Sequence, residues 1–203
     1  MRYSDKSVKH YIDKLAAKTP VPGGGSVAAL LGALGCGLLS MVANYTVSGK
    51  SYNGYKERAE KALKDSEKLR KQLIELNEKD IEAYERLSRA FKKHKDHVSG
   101  LQPSLKSAVI PPLKVCSCVH KAAVVALQLA YVGNKSIIPD ICVGMYALDA
   151  AFESALVNIG VNLRLITDKR YVVDKSEQSS RLHNDMKKIK TEVLSKTRER
   201  MLS

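Results

Sequence analysis

The chain has 203 residues and a formal net charge of +13, with moderate numbers of Gly and Pro and an ordinary hydrophobic content. This length suits one domain, residues 1–203, with a single hydrophobic core, and the composition excludes a disordered or fibrous chain. The basic residues are spread along the chain without a dense tail, and Trp is absent. We therefore expect no nucleic-acid partner. The positive charge suits either a solvated basic surface or a field that attracts an anionic substrate.

No N-terminal segment combines basic residues, an apolar stretch and a small-residue cleavage site, so the sequence predicts no signal peptide. Cys36, Cys116, Cys118 and Cys142 lie in apolar segments, which is typical of free thiols in a reducing compartment. Cys116, Cys118 and His120 form a C-x-C-x-H pattern, but only Cys116 and His120 would share a helix face. We expect a cytoplasmic protein without a metal site.

Strand signals are scarce, and long stretches follow the helical period, which predicts an all-α bundle. Clusters of Gly and Pro separate the predicted helices. They are expected near residues 5–17, 26–48, 54–95, 104–132, 139–167 and 175–201. Pro111 and Pro112 are expected to kink or split the fourth helix.

The second helix lies in an uncharged stretch from Thr19 to Thr46 that opens with three glycines. Such a stretch suits a membrane span, a buried core helix or a helix start that binds a ligand. Ser40, Asn44 and the many glycines favour a long buried helix at the centre of the bundle and no membrane partner. We expect Ser26 to cap it and the N–H groups at its start to hold an anion or a carbonyl.

The third helix carries an apolar stripe that includes Leu76, Tyr84 and Phe91, and Asp80 falls in the middle of it. A buried carboxylate is costly unless it is paired or hydrogen-bonded. Two alternatives remain open from the sequence: Ile81 carries the packing while Asp80 turns toward the edge, or Asp80 faces a polar cavity.

The fifth helix has one face of small and polar residues, and the acidic residues Asp149 and Glu153 on the opposite face are expected to meet solvent. Polar groups on the first face need partners, which helix packing alone or a ligand could supply. The residues of that face are Asp140, Gly144, Ala147, Ala151, Asn158 and Asn162.

Four segments in order resemble the cyclodeaminase domain of formiminotransferase-cyclodeaminase, a family that also includes stand-alone methenyltetrahydrofolate cyclohydrolases. The signature segment is KTPVPGGGSVAALLGALGCGLLSMVANYT, and the others are KDIEAYERLSRAFK, SAVIPPLKV and GNKSIIPDICVGMYALDAAFESALVNIGVNL. The resemblance covers nearly the whole chain. One departure is Pro139, which stands where the family usually has Ser before its Asp.

The resemblance implies an all-helical, dimeric, cytoplasmic enzyme acting on one-carbon derivatives of tetrahydrofolate, with no cofactor beyond that substrate. We expect a formiminotetrahydrofolate cyclodeaminase, which forms 5,10-methenyltetrahydrofolate and ammonia. The alternatives are a methenyltetrahydrofolate cyclohydrolase and a non-catalytic protein that binds folate or a partner helix. Small residues on the second helix, such as Ala29, Ala33 and Gly37, are expected to support a homodimer through close packing.

Asp80 and Asp140 are the predicted catalytic acid and base, and Asp140 could instead bind the pterin ring. Lys50 and Lys114 are candidates for holding the anionic glutamate tail of the folate, with or without further glutamates. The predicted substrate-binding residues are Gly23, Gly24, Gly25, Ser26, Asn44, Lys50, Lys114, Asn134, Asn158 and Asn162.

Overall fold

The computed structural model describes residues 2–49, 54–94 and 98–202, and these residues form helices without any strand. The all-α prediction is therefore confirmed. The α-helices are α1 (Val8–Ala16), α2 (Gly24–Ser48), α3 (Lys56–Lys93), α4 (Gln102–Val132), α5 (Pro139–Leu163) and α6 (Lys169–Leu202), and short 3-10 turns cover Tyr3–Asp5, Val98–Leu101 and Lys135–Ile137.

The helices pack as one bundle in which α4 contacts α2, α3, α5 and α6. Helix α2 also contacts α3 and α5 and lies between these two helices. Helices α2 and α5 run antiparallel, because Gly24 at the start of α2 adjoins Asn158 near the end of α5. Farther along the pair, the backbones of Gly35 and Gly144 meet so closely that a Cβ on Gly35 would lie 3.0 Å from the Gly144 carbonyl oxygen.

Helix α6 begins at Lys169, six residues before the predicted start, because Asp168 caps it. Its Oδ1 accepts a hydrogen bond from the Tyr171 backbone N–H at 3.1 Å. Helix α4 continues through Pro111 and Pro112 as one element, so the two prolines do not split it. Pro139 is the first residue of α5, a position where the missing N–H of proline costs no helical hydrogen bond.

Helix α2 is confirmed as a core helix, with thirteen buried residues. Its small-residue face packs inside the chain against α3, where Ser40 and Ser66 share a hydrogen bond at 2.9 Å. Ala29 and Ala33 are buried there, so this face is not available for a second copy of the chain. The prediction that these small residues support a homodimer is therefore wrong.

Two helical segments, Gly24–Ser48 and Ser99–Val132, are long and apolar enough to cross a membrane. Their most apolar windows are 61% and 56% buried inside the bundle, as core helices are. The absence of a membrane partner stays a prediction.

Of the two acidic residues that were predicted to meet solvent on α5, Glu153 is exposed, whereas α6 partly covers Asp149. Asp149 forms an ion pair with Lys190, and Glu153 forms one with His183 at 2.7 Å. The opposite side of α5 carries Gly144 and Ala151 and packs against α2, as the spacing of small residues indicated.

Candidate active site

A cleft of about 310 Å³ opens where the start of α2 meets α3, the start of α4 and the end of α5. Among the described residues that line it, Asp80 is the only charged side chain. The other lining residues are Pro20, Val21, Gly23, Gly24, Gly25, Ala83, Tyr84, Leu87, Phe91, Leu105, Ala108, Asn158, Val161, Asn162 and Leu165. The cleft therefore combines one carboxyl group, two amides and apolar walls.

The N-cap residue of α2 supplies no side-chain cap. Gly23 occupies the N-cap position in an extended conformation, and its carbonyl accepts the first helical hydrogen bond from Val27 at 3.0 Å. The N–H groups of the first turn have no partner within the helix and carry the positive end of its dipole. A ligand carbonyl or carboxylate in the cleft can accept hydrogen bonds from this turn.

Ser26 is not the cap that we expected, because the helix begins two residues earlier. Its side chain is fully buried behind the cleft, where its Oγ shares a 2.7 Å hydrogen bond with the Tyr11 hydroxyl. Asn77 donates from Nδ2 to the Ser26 Oγ at 2.8 Å and to its carbonyl at 2.9 Å. Ser26 therefore positions the start of α2, and its side chain does not line the cleft.

Tyr11 and Asn77, which were not predicted as site residues, support this turn from behind. Asn77 was detectable, because it lies three residues before Asp80 and so shares its side of α3. Tyr11 gave no signal, since its contact with Ser26 depends on how α1 folds back over α2.

The Asp80 carboxyl group lies against the first turn of α2. A Cβ on Gly25 would lie 2.6 Å from Asp80 Oδ2, so only glycine leaves room for the carboxyl there. Burial raises the pKa of Asp80 to about 6, and a hydrogen bond from the Ser26 backbone N–H partly opposes that rise. A carboxyl with this pKa can both accept and donate a proton near neutral pH.

Each alternative left open for the Asp80 region is realised in part, because Ile81 carries the packing but Asp80 does not turn toward the edge. Ile81 is buried and packs in the core, while Asp80 faces the cleft. Tyr84 and Phe91 are not core residues, since each is more than 40% exposed and lines the cleft wall. They offer aromatic surface to a flat ligand.

The two amides at the end of α5 differ in their roles. Asn162 donates from Nδ2 to the Ala108 carbonyl oxygen at 3.0 Å. That carbonyl has no helical partner, because the residue four positions later is Pro112, which lacks an N–H. Asn158 donates to the Ser154 carbonyl at 2.8 Å, and its amide lies beside Gly24 at the cleft.

The remaining predicted site residues lie away from this cleft. Asp140 begins α5 and Asn44 lies near the end of α2, both at the opposite end of the bundle. Asn134 accepts from the Ser136 N–H at 3.0 Å and so caps a 3-10 turn there. Lys114 lines a separate groove between α3 and α4, and Lys50 lies outside the described residues.

The fold and this site define a class: an all-helical protein with a cleft that combines apolar walls, two amides and a carboxyl group of raised pKa. The sequence model of formiminotransferase-cyclodeaminase matches residues 7–181. The chain therefore belongs to the formiminotransferase-cyclodeaminase family, as the resemblance of its motifs indicated.

Similar proteins agree with this assignment. The crystal structure of formiminotetrahydrofolate cyclodeaminase from Thermotoga maritima matches with a TM-score of 0.91 and 29% identity, over 96% of each chain. Methenyltetrahydrofolate cyclohydrolase of Methylorubrum extorquens is 29% identical over 86% of this chain and 87% of its own length. Mouse formimidoyltransferase-cyclodeaminase is also 29% identical, over 93% of this chain, but the match spans only 36% of that relative.

Proposed function

We propose that this protein converts 5-formiminotetrahydrofolate to 5,10-methenyltetrahydrofolate and ammonia. The observation that carries the proposal is the carboxyl group of Asp80, held against the first turn of α2 inside a cleft with apolar walls. The names of similar proteins supply the substrate class, and the cleft supplies groups for proton transfer and for holding a flat ring.

In this reaction N10 of the folate attacks the formimino carbon, so that a C–N10 bond forms and the bond to the leaving nitrogen breaks. Asp80 in its ionised form takes the proton from N10, and a protonated acid delivers a proton to the leaving amine. A pKa near 6 suits the first of these roles at neutral pH. The steps move protons and exchange one C–N bond for another, so they require no redox cofactor.

The first turn of α2 is suited to hold a carbonyl or carboxylate oxygen of the substrate. Tyr84 and Phe91 are placed to contact the ring system, with Asn158 at the rim to accept or donate hydrogen bonds. No cation lines the cleft among the described residues, so the glutamate tail leaves the cleft to reach the basic surface.

Cyclohydrolysis is a second candidate, favoured by the full-length match to the Methylorubrum cyclohydrolase. Purified protein should be tested on both 5-formimino- and 5,10-methenyltetrahydrofolate, whose interconversion is visible in the near-ultraviolet. Formation of the methenyl compound from the formimino substrate supports the cyclodeaminase. Loss of added methenyl compound without ammonia release supports the cyclohydrolase, and no turnover of either refutes both.

We also propose that the protein is a homodimer, assembled through the outward side of α2 and α5. That side points away from α4 and carries six large apolar residues between 49% and 67% exposed: Leu34, Tyr45, Val143, Tyr146, Val157 and Val161. Together they expose on the order of 600 Å², against about 800 Å² that each partner buries in a standard interface. Partly exposed leucines beside them extend the same surface.

Leu34→Lys places a charge at the middle of this surface and should convert the dimer to a monomer. Burying an unpaired ammonium group in the interface costs too much free energy. Light scattering at micromolar concentration measures the mass. Val173→Lys is the matched control, since Val173 is equally exposed but lies on α6, and it should remain dimeric. A monomeric wild-type protein would contradict the proposal.

A cytoplasmic location is proposed as well. All four cysteines are free thiols, and burial raises the pKa of Cys36 and Cys116 to about 12. Such thiols are typical of proteins that fold under reducing conditions.

A further inference from the structure

The predicted site residues fall at two ends of the antiparallel pair α2 and α5. Asp80 and Asn158 belong to the cleft at one end, while Asn134 and Asp140 lie at the other. Asp140 precedes Asn158 by eighteen residues on one helix, which separates them by about 27 Å at 1.5 Å per residue. No single folate ring system can contact both ends of one chain.

Asp140 is the acidic residue of the first turn of α5, where the helix dipole favours a negative charge, but its carboxyl group has no partner side chain in the described part of the chain. It is partly buried at the start of α5, and among the described residues it forms no hydrogen bond or ion pair. The cleft of one chain, in contrast, lacks a second carboxyl group for proton transfer among the residues that the structure describes. The proposed reaction uses a base for N10 and an acid for the leaving amine, and the cleft of one chain supplies a single carboxyl group, that of Asp80.

The directions in which side chains project from α5 indicate how a dimer can bring its two ends together. Eighteen residues are five helical turns, so Asp140 and Asn158 project at the same angle from α5, between α2 and the exposed apolar side. Asp140 and Asn162 are also equally far from Ala151, the middle residue of the helix. When the exposed sides of two α5 helices pack antiparallel, with the two-fold axis level with Ala151 along the helix, Asp140 of each copy lies at the same level as Asn162 of the other.

We propose that the active site is shared between two copies of the chain, with the Asp80 cleft of one protomer completed by the partner's Asp140. The two-fold axis lies in the plane of the apolar surface of α2 and α5 and is perpendicular to both helices. The rotation therefore brings the start of α5 in one protomer next to the end of α5 in the other. This arrangement deepens the proposed function and rests on it. Asp80 takes the proton from N10 as the new C–N bond forms, and the partner's Asp140 protonates the nitrogen that leaves as ammonia.

The test is complementation between two inactive chains. Chains carrying Asp80→Asn and Asp140→Asn are co-expressed with different tags, and the doubly tagged heterodimer is purified. In a shared arrangement one of its two sites has both carboxyls, so it should show half of the wild-type kcat per dimer. Each homodimeric variant should be ~10²–10⁴-fold slower than the wild type. A heterodimer as slow as the homodimers would overturn the sharing.

The reciprocal heterodimer pairs a wild-type chain with a chain that carries both substitutions. Sharing damages both of its sites, so activity should fall to the background. If each chain instead held a complete site, this heterodimer would keep half of the wild-type activity, which overturns the proposal. The two heterodimers contain the same four carboxyl positions and the same number of substitutions, so they serve as controls for each other.

The remaining outcomes separate the sharing from the function itself. An active wild type together with a fully active Asp140→Asn homodimer removes Asp140 from the site and overturns the sharing alone. A wild type that turns over neither folate substrate refutes the proposed function, and the sharing falls with it. Far-ultraviolet circular dichroism checks that each variant folds, and Asp140→Ser replaces Asp140→Asn if needed, since Ser is favourable at a helix start.

Discussion

Replacing Asp80 by Asn should abolish most of the activity without costing stability at neutral pH. Asn keeps the shape of the side chain and an oxygen that can accept from the Ser26 N–H, but it cannot exchange a proton. Removal of a general acid or base lowers the rate by ~10²–10⁴-fold. We therefore expect kcat to fall on that scale while the helical content stays unchanged.

The raised pKa predicts the effect on stability. A carboxyl group with a pKa of about 6 in the folded chain, against about 4 in the unfolded chain, binds its proton more tightly when folded. Stability therefore falls as pH rises from about 4 to 6, and above 6 the ionised Asp80 costs at most on the order of 2–3 kcal/mol. Asp80→Asn removes this cost at pH 7.5 but changes little at pH 4.

The measurement is thermal unfolding of both proteins at the two pH values, beside kcat from the ultraviolet assay. At pH 7.5 the Tm of the variant should equal or exceed that of the wild type, by at most roughly 5–10 °C. Asp65→Asn is the matched control on the same helix, because Asp65 pairs with Lys61 outside the cleft. A lower Tm at pH 7.5 with kcat within a few-fold would refute the reasoning and make Asp80 a structural acceptor.

Three further predictions concern the surroundings of Asp80. Gly25→Ala should displace the carboxyl group and lower kcat at least tenfold, at a cost in stability of about 1–3 kcal/mol, whereas Gly160→Ala on α5 meets nothing and should leave kcat unchanged. The pH profile of kcat/KM should fall below pH ~6 as Asp80 becomes protonated, and a profile that is flat from pH 5 to 8 would exclude Asp80 as the base. Asn162→Ala should destabilise the protein by about 1–3 kcal/mol in urea unfolding, because it leaves a buried carbonyl unpaired. That cost should shrink when Pro112→Ala restores a helical donor, and an equal cost in both backgrounds would contradict the proposed pairing.

The helices, the burial of the uncharged second helix and the place of Asp80 in the apolar stripe of α3 were predictable, because each depends on spacing along one helix. A carboxylate in the middle of an apolar stripe is a local signal, and so are the glycines at the start of α2. The capping error at Ser26 has a local cause as well, since the helix begins at Gly24 and the side chain that would cap it was needed in the core.

Other features depend on which helices become neighbours. Periodicity showed that one face of α5 is acidic, but only the packing of α6 places Lys190 and His183 against it. Periodicity also placed Asp140 and Asn158 on one face of α5, but the length of α5 puts these two residues at opposite ends of the bundle. Within one helix, both the face on which a residue lies and its distance from another residue follow from residue spacing, whereas the distance between residues on different helices follows from the tertiary arrangement. For that reason the sequence by itself determined which residues have unusual chemistry, and the packing of α2, α3 and α5 decided which of them share a cleft.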